Sequence, residues 1–382
     1  MLPLRDVRVL DLSRLLPGPY CTMMLADFGA EVIKIEEPEV GDYARHMEPL
    51  LDENSALFHQ INRNKKSVCL DLKNPNHKEH FLQLVKQSDV VVESFRPGTM
   101  EKLGLDYSKL KEINPGIIYC AITGYGQTGP DSKRAGHDLN YISQTGLLDL
   151  FGKKDESPTV PAAQIADIGG GAMPAVIGIL LAVIEKNKSG VGQFVDISMT
   201  DGALTWLPIL FSEYLATGEH LKRGEQALTG AKANYNLYET KDKRYLAVAA
   251  VEPKFWEVFC QTIGKDNFSW EINAPQSEQT AMIQTIQQII QAKTLEEWAA
   301  IFSDKEACVS AVLTFEEATN HPQFNERGMF SLLDQPGSSH NTQLGIPIKL
   351  SETAGAIKTA APKLGEHTDE ILKTIIGADI GE

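Results

Sequence analysis

The feature that most constrains the fold is the alternation of short apolar runs with helical patterns between residues 7 and 125. In Lys78–Gln87 the apolar side chains cluster on one face, which predicts an amphipathic helix, and Tyr20–Phe28 is a second helix candidate. Strands that alternate with helices indicate βαβ units around a mostly parallel sheet, so the predicted fold class is α/β. The runs predicted to be strands are Val7–Leu12, Glu31–Ile35, Ser67–Leu72, Val90–Glu93 and Ile117–Thr123.

The remainder of the chain predicts a further strand, several helices and a second domain. The apolar stretch Met173–Ile184 is about twelve residues long, too short to span a bilayer, and is predicted to be a buried helix. A strand at Gln193–Ile197 and a helix from Asp201 to Ala216 follow. Short strands at Tyr235–Glu239 and Tyr245–Ala249 then begin a different pattern. The predicted organisation is a large domain (1–217), a linker (218–233), a small domain (234–320) and a C-terminal return to the large domain (321–382).

Composition limits the classes of partner. The 382 residues are 42% hydrophobic, enough to bury a core. With 36 Lys and Arg against 51 Asp and Glu, the net charge of −15 disfavours a nucleic-acid-binding protein. The five scattered cysteines form no C-x-x-C pair, which predicts reduced thiols, a cytoplasmic location and no metal site. Because charged residues interrupt the N-terminus, neither a signal peptide nor a membrane partner is predicted.

Residues Gly124–Gly129 match the G-x-G-x-x-G pattern of dinucleotide-binding proteins and follow a predicted strand. That pattern must open a helix whose N-terminus faces the pyrophosphate, whereas Pro130–Arg134 has no helical period. The sequence therefore favours a flexible strand-to-loop turn and disfavours a nicotinamide dehydrogenase.

Three residues are candidates for acid–base chemistry. His137 lies beside an acidic residue in the Gly-flanked segment RAGHDLNY. Asp167 precedes Gly169–Gly171 at a predicted helix start, where backbone N–H groups and the helix dipole stabilise negative charge. Glu252 follows an apolar strand. Taken singly, each has a simpler interpretation: a structural histidine, a helix N-cap and a surface carboxylate.

Several motifs together resemble the class III CoA-transferase superfamily, of the CaiB/BaiF type. The resemblance runs almost from end to end, and the AGHDLNY and EPKF blocks are similar to those of α-methylacyl-CoA racemases. The segments that carry it are LPGPYCTMMLADFGAEVIKIEEP, NRNKKSVCLDLK, ESFRPGTMEKLGL, GYGQTGP, RAGHDLNY, ADIGGG, VEPKFW and LGEHTDEIL.

The resemblance implies a 1,1-proton transfer at the α-carbon of a 2-methylacyl-CoA thioester. One base removes the α-proton, a planar enolate forms, and the other base returns a proton to the opposite face. His137, supported by Glu252, and Asp167 are the implied bases, and an imidazole can accept and return a proton at neutral pH. We hypothesise that backbone N–H groups of Gly169–Gly171 stabilise the enolate oxygen. The alternative is a CoA-transferase in which Asp167 is the nucleophile.

The resemblance also implies how CoA is bound and how the chain is organised. The CoA thioester is the substrate, and no separate cofactor or metal is implied. Glu37 stands where the family often has a phosphate-binding arginine, and Lys34 or Arg45 are the candidates to replace it. The implied architecture is a Rossmann-like large domain with a smaller α/β domain in an intertwined homodimer. The implied CoA-binding residues are Lys34, Arg63, Leu70, Asp71, Leu72, Lys73, Phe95, Arg96, Pro97, Ala135, Gly136, Asp138, Leu139 and Asn140.

Overall fold

A computed structural model describes residues 1–51, 54–333 and 342–377. The described chain divides into two compact units. The first contains residues 1–147, 161–207 and the segment from 322 onward, and the second contains 148–160 and 208–321. The sequence placed residues 148–160 and 208–217 in the large domain, whereas the contacts place both in the second unit.

The first unit is built on a six-stranded parallel sheet in the order β3–β2–β1–β4–β5–β6. The five strands predicted between residues 7 and 125 are all present, although β3 begins and ends earlier than expected. The order reverses between β1 and β4, and ligands of open α/β sheets bind outside the carboxyl ends of strands at such a point. The strands are β1 (Arg8–Asp11), β2 (Glu31–Glu36), β3 (Lys65–Cys69), β4 (Val90–Glu93), β5 (Ile118–Thr123) and β6 (Phe194–Ser198).

Helices cover the sheet, and their apolar faces form the core of the first unit. Phe81, Leu84 and Val85 of α3 are fully buried against the strands, as the helical period predicts. Because the sheet is covered, β4 and β5 are buried at every position. The helices are α1 (Pro17–Asp27), α2 (Ala56–Ile61), α3 (Pro75–Lys86), α4 (Thr99–Leu103), α5 (Tyr107–Ile113), α6 (Asp138–Gln144), α7 (Met173–Ser189) and α8 (Met199–Leu204).

The second unit has its own sheet and core. Its antiparallel strands β7 (Tyr235–Glu239), β8 (Tyr245–Ala249) and β9 (Val309–Ala311) lie in the order β9–β8–β7, and the first two have the predicted bounds. Buried aromatic and aliphatic side chains from the sheet and from α10 to α12 form this core. The helices of the second unit are α9 (Pro208–Thr217), α10 (Pro253–Thr262), α11 (Gln276–Ile290), α12 (Leu295–Phe302) and α13 (Phe315–Thr319).

The last part of the chain packs on the first unit. His367 donates its backbone N–H to the Ser67 carbonyl, which attaches the C-terminal segment to β3. A short closing helix continues directly into a wider π-helical turn. The elements are α14 (Pro322–Glu326), β10 (Phe330–Leu332), β11 (Thr342–Leu344), α15 (Thr368–Ile371) and the turn Leu372–Ile376.

Helix α7 differs from its prediction in length and burial. A π-helical turn, Ile165–Ala172, runs directly into it, so the helical stretch extends from Ile165 to Ser189. By length and composition alone, this is the one stretch in the described chain that could cross a membrane; core helices of soluble proteins pass the same test. The predicted burial holds for one face, which includes Ala175 and Ile179, whereas Ile177, Leu181 and Ile184 on the other face are exposed in the single chain.

The helix predicted from Asp201 to Ala216 is divided in two. Helix α8 ends at Leu204, and α9 begins at Pro208. Proline disfavours helical backbone at the residue before it, which accounts for a break at Leu207. The second segment of the first compact unit, residues 161–207, ends at this residue.

Candidate active site

His137 lies immediately before α6, at the end of the loop that follows β5. Its backbone N–H donates to the Asn140 side chain (3.1 Å), so the first turn of α6 fixes its position. Tyr141 donates its hydroxyl to the carbonyl of Gly136, and its ring lies where a Cβ on Gly136 would be. The His137 side chain is exposed.

Asp138 joins this loop to the π-helical turn that carries Asp167. One oxygen of the Asp138 carboxylate accepts hydrogen bonds from the backbone N–H groups of Ala166 (2.6 Å) and Asp167 (2.9 Å). The structure thus brings the His137 loop and Asp167 together through Asp138, a residue that the family resemblance implies for CoA binding. In the sequence, the sole sign of this contact is an acidic side chain beside His137.

Asp167 lies within the π-helical turn and is not its N-cap, which is Gln164. Burial, together with the smaller effect of repulsion from the Asp138 carboxylate, raises the pKa of Asp167 to about 7. A carboxyl group that titrates near neutral pH can accept a proton and return it. Such a shift at a half-buried group is typical of functional sites.

The glycines after Asp167 are required by packing. A Cβ on Gly169 would lie 2.0 Å from the Trp206 ring, and one on Gly170 would lie 2.5 Å from the Met199 carbonyl. From the side of α8, a Cβ on Gly202 would lie 1.9 Å from the carbonyl oxygen of Gly170. The two backbones approach closely, so the presence of the glycines is not an argument for enolate-binding donors.

Glu252 lies in the second compact unit. It precedes α10, and its side chain is exposed. Its carbonyl accepts the backbone N–H groups of Phe255 (3.1 Å) and Trp256 (3.1 Å), which leaves the carboxylate outside the helix start.

The predicted turn at Gly124–Gly129 is confirmed. The turn follows β5. The structure describes every residue between this turn and α6, and none of them is helical. The Gly124 carbonyl accepts both the backbone N–H (3.0 Å) and the hydroxyl (2.7 Å) of Thr200. A Cβ on Gly124 would lie 2.4 Å from the Tyr141 ring, so the residue serves close packing.

Other expected CoA-binding residues follow the carboxyl ends of strands. Asp71, Leu72 and Lys73 follow β3, and the Lys73 side chain is exposed. Phe95, Arg96 and Pro97 follow β4, and Arg96 and Pro97 line a cavity of about 230 Å³. Parallel strands place these segments at one edge of the sheet. Ala135, Leu139 and Asn140 are exposed near His137.

Lys34 and Arg63 do not present a free charge. The Lys34 ammonium is fully buried, 2.8 Å from the Asp42 carboxylate. Arg63 is buried and makes a bidentate pair with Asp27 (2.7 and 3.0 Å). Both charges are neutralised by buried carboxylates within the fold. Neither residue therefore belongs to the proposed CoA-binding set.

Two further expectations at this edge are also corrected. Arg45 makes a buried bidentate pair with Glu36 (2.7 and 2.8 Å) and cannot replace a phosphate-binding arginine. Leu70 is 2% exposed and belongs to the core of the first unit. A sequence does not show which side chains the fold buries, nor which buried carboxylate a charged side chain will meet.

Comparisons with known proteins support a family assignment. Residues 4–368 match CoA-transferase family III. The chain is 34% identical over 371 residues to alpha-methylacyl-CoA racemase from Homo sapiens, covering 97% of this chain and 92% of that protein. It is 31% identical over 389 residues to succinyl-CoA:glutarate CoA-transferase from Homo sapiens, covering 100% and 88%. A CaiB/BaiF family protein from Brucella suis has a TM-score of 0.86 and 30% identity, covering 98% and 99%. The chain belongs to CoA-transferase family III.

Proposed function

We propose that this enzyme is an α-methylacyl-CoA racemase or epimerase. The observation that carries the proposal is the Asp138 bridge, which holds Asp167 beside the loop of His137. The similarity to alpha-methylacyl-CoA racemases from Homo sapiens and Mus musculus, at 34% and 35% identity, supports it. The chemistry requires two groups that exchange protons at neutral pH, and the raised pKa of Asp167 makes this carboxyl suitable.

In the proposed reaction, one base takes the α-proton of the 2-methylacyl-CoA thioester. The electron pair of the broken C–H bond moves onto the thioester carbonyl and forms an enolate. The second base, still protonated, returns a proton to the other face of the same carbon. His137 and Asp167 exchange roles when the reaction runs in reverse, and Glu252 is the proposed support of His137. No cofactor is needed.

The test is incubation of the enzyme with a chiral 2-methylacyl-CoA in D₂O. We expect deuterium at the α-carbon and loss of optical purity without consumption of the thioester. His137→Ala and Asp167→Asn are expected to lower exchange at least about 100-fold, because a positioned acid–base group contributes about 10²–10⁴-fold. Controls are His220→Ala and Asp6→Asn, which change exposed side chains. Full exchange by His137→Ala would contradict the two-base assignment.

A CoA-transferase is the second candidate, since the chain is similar over its whole length to succinyl-CoA:glutarate CoA-transferase. In that reaction the Asp167 carboxylate attacks the thioester carbonyl and expels CoA thiolate, leaving a mixed anhydride. The thiolate then attacks the Asp167 carbonyl, which releases the first acid and leaves an aspartyl-CoA thioester. The acceptor carboxylate attacks this thioester and expels CoA thiolate, and the thiolate attacks the acceptor carbonyl of the new anhydride, which forms the product thioester and frees the Asp167 carboxylate. Transfer of CoA to added succinate or glutarate, with an adduct at Asp167 trapped by hydroxylamine, would establish it.

The proposed assembly is a homodimer of chains with a Rossmann-like large domain, located in the cytoplasm. Two apolar surfaces support dimerisation. In the first unit, α7 exposes Ile177, Leu181 and Ile184, which lie on one helix face. In the second unit, α9 has no buried residue and exposes Ile209, Phe211 and Leu215. Exposed apolar patches of this kind mark interaction surfaces.

A further inference from the structure

Arg14 lies at the crevice where the strand order of the sheet reverses. It follows β1, and two of its neighbours come from the segments after the adjacent strands on either side. The guanidinium lies 3.4 Å from the carboxylate of Glu37, which follows β2. It also lies over the ring of Phe95, which follows β4, at 5.4 Å from the ring centre. Arg14 therefore occupies the position in which open α/β sheets bind ligands.

The side chain of Arg14 is held in a defined direction. A second ring, Tyr43, lies 4.9 Å from the guanidinium, so the group is flanked by two aromatic rings. The backbone N–H of Arg14 donates to the Ser94 hydroxyl (3.1 Å). About a quarter of the side chain remains exposed to solvent. A guanidinium positioned by aromatic stacking loses less conformational freedom when it binds a planar or tetrahedral anion.

The backbone beside Arg14 is strained. Leu15 has a φ of 66°, a left-handed conformation that a leucine rarely adopts. Its N–H is held by the Asp42 carboxylate (2.9 Å), and Asp42 is paired with the buried Lys34. Lys34 also donates to the Ser13 carbonyl (2.8 Å). Buried charges thus maintain a costly turn, as is found where strain serves a binding site.

At this crevice one carboxylate faces two cationic side chains. Glu37 is shared by Arg14 (3.4 Å) and Lys73 (3.8 Å), and 39% of its side chain is exposed. Exposed ion pairs of this geometry contribute little stability. An incoming dianion could take the Arg14 guanidinium in a bidentate contact, which is the stronger arrangement.

We propose that Arg14 binds a phosphate group of the CoA thioester, and that Glu37 is the counter-charge which the phosphate displaces. Lys34 is the buried positioning residue for this turn and does not touch the ligand. The proposal rests on the proposed function in that it takes a CoA thioester as the ligand. It replaces Lys34 and Arg45 as candidate phosphate ligands with a residue that the sequence analysis did not select.

Calorimetric titration with CoA tests the proposal directly. Arg14→Gln is expected to weaken CoA binding about tenfold, which equals about 1.4 kcal/mol. Glu37→Gln is expected to tighten it about threefold, because the competing carboxylate is removed. The matched control is Arg8→Gln, at the opposite end of β1 and paired with Glu31, which should leave CoA affinity within about twofold.

Truncated ligands identify the group that Arg14 contacts. Pantetheine lacks all phosphates, so its affinity should be equal in the wild type and in Arg14→Gln. If the Arg14→Gln loss persists with 3′-dephospho-CoA, the contact is to the diphosphate; if it disappears, the contact is to the 3′-phosphate. Either result supports the proposal.

Three outcomes would overturn the assignment of Arg14: unchanged CoA affinity in Arg14→Gln, an equal loss for pantetheine, or a wild-type protein that does not bind CoA. If Arg14→Gln does not fold, Glu37→Gln still decides, since weaker or unchanged CoA binding contradicts the displaced counter-charge. A wild type that binds CoA but exchanges no α-hydrogen would refute the racemase function and leave the Arg14 assignment standing.

Discussion

Asp138 is the residue on which the geometry of the candidate active site depends. Its carboxylate holds two consecutive backbone N–H groups of the π-helical turn, and its negative charge contributes to the raised pKa of Asp167. It acts through Asp167, so it is a positioning residue. Its substitution should separate the effect of charge from the effect of shape.

Asp138→Asn keeps an acceptor oxygen but removes the charge, so the pKa of Asp167 should fall below its value of about 7. The acid limb of the pH profile for α-deuterium exchange should move to lower pH. Asp138→Ala, which also removes the acceptor, should lower exchange at least tenfold, because a lost charged hydrogen bond costs about 1.5–3 kcal/mol. An acid limb that stays in place in Asp138→Asn would show that Asp138 does not influence Asp167.

Glu93 provides a second residue-scale prediction, on stability. It lies at the end of β4, is 5% exposed, and accepts the backbone N–H of Phe95 (2.7 Å). Burial raises its pKa to about 8 from an ordinary 4.5. The folded state therefore binds more protons than the unfolded state between these values, so stability should fall as pH rises through this window.

Glu93→Gln retains an acceptor for Phe95 and removes the titration. We expect the variant to unfold at a higher temperature than the wild type at pH 8.5, and to match it at pH 4.5. Thermal unfolding at both pH values checks this. A difference of the same size at both would mean that ionisation of Glu93 is not its cause.

At the scale of elements, the contact between α8 and the π-helical turn decides the position of Asp167. A Cβ on Gly202 would lie 1.9 Å from the Gly170 carbonyl, a distance that backbone atoms cannot accommodate without moving apart. Gly202→Ala should lower the melting temperature by several degrees, as overpacking costs about 1–3 kcal/mol. It should also lower exchange, because the displaced turn carries Asp167.

Gly116→Ala is the control for this substitution. There the nearest atom to the new Cβ is the flexible end of Lys186, at 3.2 Å, which can move aside. We expect near-normal exchange and stability. If Gly202→Ala behaved in the same way as Gly116→Ala, close packing of α8 would not be what positions Asp167.

At the scale of the whole molecule, the exposed face of α7 predicts association. Leu181→Asp places a charge in the apolar stripe and should convert a dimer into monomers in sedimentation at micromolar concentration. Leu332→Asp changes a still more exposed leucine of β10 outside the stripe and should leave the dimer intact. A wild type that sediments as a monomer would contradict the proposed homodimer.

Much of the fold could be predicted because local sequence patterns determine its strands and helices. The parallel strands from β1 to β5, the two strands of the second unit and the helix of Lys78–Gln87 follow from runs and periods of adjacent residues. The break before Pro208 was missed although its signal is local, since proline acts on the residue before it. The candidate roles of His137 and Asp167 came from the resemblance of motifs, because no local pattern indicates what either side chain does.

The sequence by itself determined the fold class, the family and the two candidate side chains, since these depend on local periodicity and on motifs. Only the tertiary structure decided which charges are free. Lys34, Arg45 and Arg63 look like ligands of phosphate in the sequence but are neutralised by carboxylates distant in the chain or on a neighbouring loop. Arg14, by contrast, lies at the crevice with part of its side chain exposed to solvent. The reason is physical: whether a charge meets solvent or a buried partner depends on the packing of segments far apart in the chain.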